Sequence, residues 1–99
     1  MLEQERTRRV RVELGALVAT PGAIDALAKA GVTPIELIAR HQRGDWGELC
    51  SEDRAENDLS LRDGFRLLSA YTLPRTGARI WVITEADRSV TTLLLPDEY

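Results

Sequence analysis

Residues 8–44 read RRVRVELGALVATPGAIDALAKAGVTPIELIARHQRG, and a change of period inside this stretch decides the fold. Over 8–19 the pattern repeats every second residue. Val10, Val12, Leu14, Ala16 and Val18 fall on one side and Arg9, Arg11 and Glu13 on the other, which predicts a half-buried strand. From Thr20 the period lengthens. Thr20 reads as a helix N-cap with Pro21 at the first helical position. Ile24, Leu27 and Ala28 form the expected apolar stripe, and Gly31 ends the helix. Thr33-Pro34-Ile35-Glu36 repeats the start signal as a capping box, Thr33 with Glu36. Ile35, Ile38 and Ala39 give the second helix its expected buried face, and Gly44 closes it. So short a link between two helices makes an αα-hairpin.

Downstream, Asp45-Trp46-Gly47 is an irregular link. Ser51 followed by Glu52, Asp53 and Arg54 starts a third helix, with acids near the positive end of its dipole. This helix is mostly polar, with Ala55 and Leu59 its clearest inward candidates, and it stops near Gly64. Phe65, Leu67, Ser69, Tyr71 and Leu73 alternate as a strand that runs into the turn Pro74-Arg75-Thr76-Gly77. Arg79 to Thr84 and Val90 to Leu95 are two further strands around the turn Glu85 to Ser89, and Pro96 ends the last. Trp81 alternates with Ile80 and Val82 and reads as a core or helix-facing residue. The order is strand, αα-hairpin, third helix, three-stranded antiparallel meander, which predicts an α+β two-layer domain spanning 1–99, with 1–7 as a flexible lead. The arginine-rich outer face of the first strand would discourage edge-to-edge pairing.

Composition narrows the classes. A chain of 99 residues buries roughly 60–65% of the surface its unfolded form exposes, enough for one core. Cys50 is the sole cysteine, so no internal disulfide forms. No apolar run approaches the roughly 20 residues that span a bilayer, and the polar start resembles no signal peptide. These features point to the cytoplasm and away from membranes. A net charge of −3 disfavours a broad nucleic-acid grip, which phosphate neutralisation by basic side chains dominates.

Two polar clusters stand out: His41-Gln42-Arg43-Gly44-Asp45-Trp46-Gly47 and Thr84-Glu85-Ala86-Asp87-Arg88-Ser89-Val90-Thr91-Thr92. Arg43, Asp45, Trp46, Glu85, Asp87, Arg88 and Ser89 are the candidate binding residues, with Trp46 either a partner anchor or a lid over the core. Asp and Ser also favour turns for local reasons, so a capped hairpin explains part of the second cluster. His41, the only imidazole, is the candidate general acid or base. Neither a metal-ligand spacing nor a glycine-rich phosphate loop is present, so no metal and no cofactor is expected. Residues 26–43 mimic a helix-turn-helix that would present Glu36, Arg40, His41 and Arg43, and a DNA-binding regulator is one alternative.

The segments ATPGAIDAL, ARHQRGDWGEL, GFRLLSAY and IWVITEADRSVTTLLLPDEY, from about Leu14 to Tyr99, resemble a family of short proteins common on bacterial plasmids and other mobile elements. That family has no established activity. Its members carry labels such as plasmid-related protein or type I restriction-modification methyltransferase subunit. A methyl-donor fold needs a doubly wound parallel sheet and a glycine-rich cofactor turn, and this chain has neither pattern. The resemblance therefore implies association with defence or counter-defence rather than methyl transfer. The order of elements is also similar to RelE/ParE-type toxins, which are small ribonucleases. That likeness implies His41 as acid or base, Arg88 on the phosphate, and Tyr71 and Thr91 for positioning. The leading expectation is a non-enzymatic interaction protein of a mobile element acting on a protein partner, with the ribonuclease as its alternative.

Overall fold

The structure is a computed structural model and describes residues 11–99. The elements are β1 (Ala16–Ala19), α1 (Pro21–Ala30), α2 (Pro34–Gln42), α3 (Ser51–Asp63), β2 (Leu67–Thr72), β3 (Arg79–Thr84) and β4 (Val90–Leu94), followed by a 3₁₀ turn at Pro96–Glu98. This is the expected α+β order. The four strands form one mixed sheet in the order β1-β4-β3-β2. β2, β3 and β4 make the antiparallel meander, and β1 joins β4 in parallel at one edge. Among the described residues no helix is long and apolar enough to cross a membrane.

The caps read from the sequence are in place. The Thr20 hydroxyl accepts from the Ala23 N–H at 3.0 Å. The Glu36 carboxylate accepts from the Thr33 N–H at 3.0 Å and from its hydroxyl at 3.1 Å. Gly31 closes α1 in the left-handed conformation. The core lies between α1, α2 and one face of the sheet: Ala23, Leu27, Ala30, Leu37 and Ile38 pack on Tyr71, Leu73, Ile80, Val82 and Leu93.

Several inward faces differ from the expected ones. The lead 1–7 and the start of the long first strand lie outside the described residues. Within them, β1 spans only Ala16–Ala19 because Gly15 turns the chain at φ 65°. Val12 is buried there but Val18 is about half exposed, and Arg11 precedes the strand. No arginine lies within β1 itself, and Arg9 lies outside the described residues. In α1 the buried positions are Ala23, Leu27 and Ala30, while Ile24 is exposed and Ala28 points outward. In α2 they are Leu37, Ile38 and His41, with Ile35 and Ala39 exposed. Small alanines let α1 sit close to the sheet, and that rotates the larger Ile24 out. In α3 the buried pair is Asn57 and Ser60, not Ala55 and Leu59. Phe65 lies before β2 and is exposed, and Leu95 lies just after β4. Trp81 is half-buried on the sheet face away from α1 and α2, edge-on to Tyr99 with ring centroids 5.8 Å apart, so it packs on the C-terminal residue and not on the αα-hairpin.

The β2 edge is closed by backbone and side-chain mimicry. Asn57 donates to the Leu68 carbonyl at 2.6 Å and accepts from its N–H at 3.1 Å. Two residues on, Ala70 donates to the Trp46 carbonyl at 3.1 Å and accepts from the Glu48 N–H at 2.7 Å. Thr72 continues the seam by donating to the Glu48 carboxylate. Gly47, at φ 75°, makes that approach feasible: a Cβ there would stand 2.1 Å from the Ala70 carbonyl oxygen.

Candidate functional site

His41, at the start of the first polar cluster, is joined to the second through Thr84. The imidazole is fully buried. Its Nδ1 is 2.6 Å from the Ser69 hydroxyl and its Nε2 is 2.9 Å from the Thr84 hydroxyl. Thr84 continues to Thr91 at 2.7 Å, and Thr91 donates to the Leu14 carbonyl at 2.8 Å. Ser69, Thr84 and Thr91 share one face because they are in phase across the strand register, Leu67 with Thr84 and Thr84 with Thr91.

The final acceptor fixes the direction of every bond in this relay. A carbonyl only accepts, so Thr91 gives its single hydroxyl proton to Leu14. Thr84 must then donate to Thr91, and the ring must donate Nε2–H to Thr84. That leaves Nδ1 as the acceptor for Ser69. The ring is a neutral Nε2–H tautomer, and burial, reinforced by the Arg88 cation, pushes its pKa down to about 4. No buried side-chain nitrogen or oxygen among the described residues lacks a partner.

The remaining candidates fall into two groups. Trp46 is buried and meets His41 edge-on at 5.7 Å, so of its two sequence readings the lid over the core holds. Tyr71 is buried, donates its hydroxyl to the Asp45 carbonyl at 2.5 Å, and carries the Arg40 guanidinium 4.4 Å above its ring. Burial pushes its pKa up to about 12. Asp45 pairs with Arg40 at 2.7 Å and caps the Gly47 N–H at 3.1 Å. The hydrogen bond from Arg40 holds its carboxyl below the usual carboxylate range. Arg88, at φ 61°, donates to four carbonyls: Phe65 at 2.7 Å, Glu85 and Ser60 at 3.1 Å, and Ala86 at 3.2 Å. It ties the β3–β4 turn to the C-terminal end of α3. Asp87 accepts from the Ser89 N–H at 3.0 Å, an Asx turn within the hairpin. The group that faces solvent is Arg43, Glu85, Asp87 and Ser89.

Ser69 and Asn57 were absent from the sequence candidates. Ser69 carried a readable signal, a hydroxyl in the inward phase between Leu67 and Tyr71. Asn57 carried none, since it sits on an otherwise polar helix. No three of the described His, Cys, Asp and Glu residues cluster as a metal-holding group. In comparisons with known proteins, the chain matches no family model, no curated protein and no solved structure.

Proposed function

We propose that this protein works by binding a protein partner and not by catalysis. One observation carries the reading: all four residues of the candidate catalytic set are engaged in contacts within the fold. His41, Tyr71 and Thr91 are buried and hydrogen-bonded, and Arg88 spends its guanidinium on backbone carbonyls. An acid–base group must reach the proton it transfers, which burial denies to His41 and Tyr71, and the carbonyl contacts hold the Arg88 guanidinium against the β3–β4 turn. The exposed Arg43, Glu85, Asp87 and Ser89 are then the rim residues left for a partner to read. The resemblance to mobile-element proteins supplies the setting of this proposal, defence or counter-defence.

The test is a tagged pull-down from the native host with and without nuclease, repeated with Arg43→Glu and Glu85→Arg. A stoichiometric protein that survives nuclease and is lost with both variants supports the reading. Recovery of RNA alone, together with RNA cleavage by the purified chain that His41→Ala abolishes, overturns it in favour of the ribonuclease.

A further inference from the structure

The two edges of the sheet are treated in opposite ways. The β2 edge is closed by Asn57 and residues 46–48. At the other edge, Ala16 donates to the Ser89 carbonyl at 2.9 Å and Thr20 to the Leu93 carbonyl at 3.0 Å. The even-numbered residues of β1 thus face β4, so the N–H and C=O groups of Leu17 and Ala19 face outward. Among the described residues no backbone group pairs with them. Beside this edge lies an apolar groove of about 210 Å³, lined by Leu17, Ala19, Pro34, Ile35, Ile38 and Leu93 among others. Leu17 is 48% exposed, Val18 47% and Ile35 64%.

We infer that a second copy of this chain pairs here, β1 against β1 antiparallel about a two-fold axis, joining two four-stranded sheets into one. Three features select a second copy. First, the pairing is self-complementary: centred on Val18, it sets Leu17 of each copy against Ala19 of the other, so every outward donor meets an outward acceptor. Second, Gly15 to Thr20 (GALVAT) carries no charge, and neither do Pro34, Ile35, Ile38 and Ala39. Two identical edges therefore meet without like-charge repulsion, and the usual protections, charge or proline on the strand, are missing. Third, the closed β2 edge limits growth to two copies. A standard stable interface takes about 800 Å² from each partner, about one eighth of the 6164 Å² surface of this chain. A four-residue strand and one helix flank supply less, so the pairing is weak and concentration-dependent. This inference does not depend on the rim proposed above.

Sedimentation velocity of the full chain, from low micromolar to millimolar protein, tests it. The mass should rise with concentration from 11.0 kDa and level at twice that value. Leu17→Asp and Ile35→Glu should each weaken association at least tenfold, while Ile24→Glu, outside the groove, should leave it unchanged. Circular dichroism checks that each variant is folded. Amide exchange at Leu17 and Ala19 should slow with concentration in the wild type, which keeps the test decisive if a variant unfolds. A monomer at every concentration overturns the inference, as does mass climbing past the dimer. Protection of the Leu17 and Ala19 amides that does not depend on concentration also overturns it, since the chain's own residues would then cover the edge.

Discussion

Lowering the pH from 7 towards 4 should destabilise this domain through one side chain. His41 is the only histidine, and its buried ring has a pKa pushed from 6.5 down to about 4. Between those values the unfolded chain binds a proton that the native ring refuses. Stability therefore rises with pH across that window, is fully present above 6.5, and is lost as pH falls towards 4. At about 1.4 kcal/mol per pH unit the full loss is about 3 kcal/mol, with about 2 kcal/mol already gone at pH 5. Native domains hold only about 5–15 kcal/mol in total. The carboxylates of Asp45, Asp87 and Glu98 also lie below their usual range. Their contributions are lost as pH falls through their folded values, below the ordinary carboxylate range, which leaves the window above it to His41.

Urea denaturation between about pH 7.5 and 4.5 measures the slope, and proton NMR of the single imidazole measures its pKa directly. His41→Gln, which cannot ionise, should be less stable at neutral pH but nearly flat across the same window. Nitrogen-15 shifts of the wild-type ring should report Nε2 protonated and Nδ1 bare. An unchanged urea midpoint between pH 7 and 5, or an imidazole titrating near 6.5, would refute the buried-relay account.

Other perturbations separate structural from chemical roles. Thr84→Val strands the Nε2–H of His41 and removes the donor to the Thr91 hydroxyl, which keeps its bond to Leu14, and should cost about 1–3 kcal/mol in chemical denaturation. Arg88→Met removes four donor contacts to carbonyls and should lower the melting temperature by at least about 4–8 °C, at about 1 kcal/mol or more lost. An unchanged melting point with altered RNA cleavage would instead mark Arg88 as a phosphate ligand. Gly47→Ala places a methyl 2.1 Å from the Ala70 carbonyl at a positive φ, and should cost at least about 2 kcal/mol by the same measurement. Asn57→Leu should expose the Leu68 amide to fast hydrogen exchange while leaving β3 and β4 protected.

Element order and helix starts were legible because they rest on local chemistry. Thr20, Thr33 with Glu36, and Gly31 act within a few residues of themselves, and the alternation from Leu67 to Leu73 fixes its own phase. The helix faces were less legible because α1 is rich in alanine, which counts as apolar on any side. Only contact with the sheet decides that Ala23 goes in and Ile24 stays out. The polar clusters were found, but not what they do. His41 looks like a catalytic base until Ser69, 28 positions away, and Thr84, 43 away, occupy both its nitrogens. Arg88 looks like a phosphate ligand until Ser60 and Phe65 supply carbonyls from 28 and 23 positions away. A residue type suggests a chemistry; its long-range partners decide whether that chemistry is available.

The opposed treatment of the two sheet edges carries the functional argument further than either polar cluster. An unprotected strand is a hazard when a sheet can add partners on both sides, since identical copies then polymerise without end. Here β2 meets Asn57 through both backbone groups of Leu68, and residues 46–48 through both of Ala70, so that side accepts no further strand. The sheet is thereby reduced to a single open edge, and two copies meeting there close about a two-fold axis. The same buried relay that withdraws His41 from chemistry also pins the lead-in to this edge, because Thr91 holds the Leu14 carbonyl just before Gly15 turns the chain into β1. Weakening the relay should therefore loosen self-association as well as lower stability: Thr84→Val should raise the dimer dissociation constant although residue 84 lies on β3, two strands from the open edge. If Thr84→Val lowers stability yet leaves association untouched, β1 is positioned by its pairing with β4 alone, and the relay serves only to fasten the core.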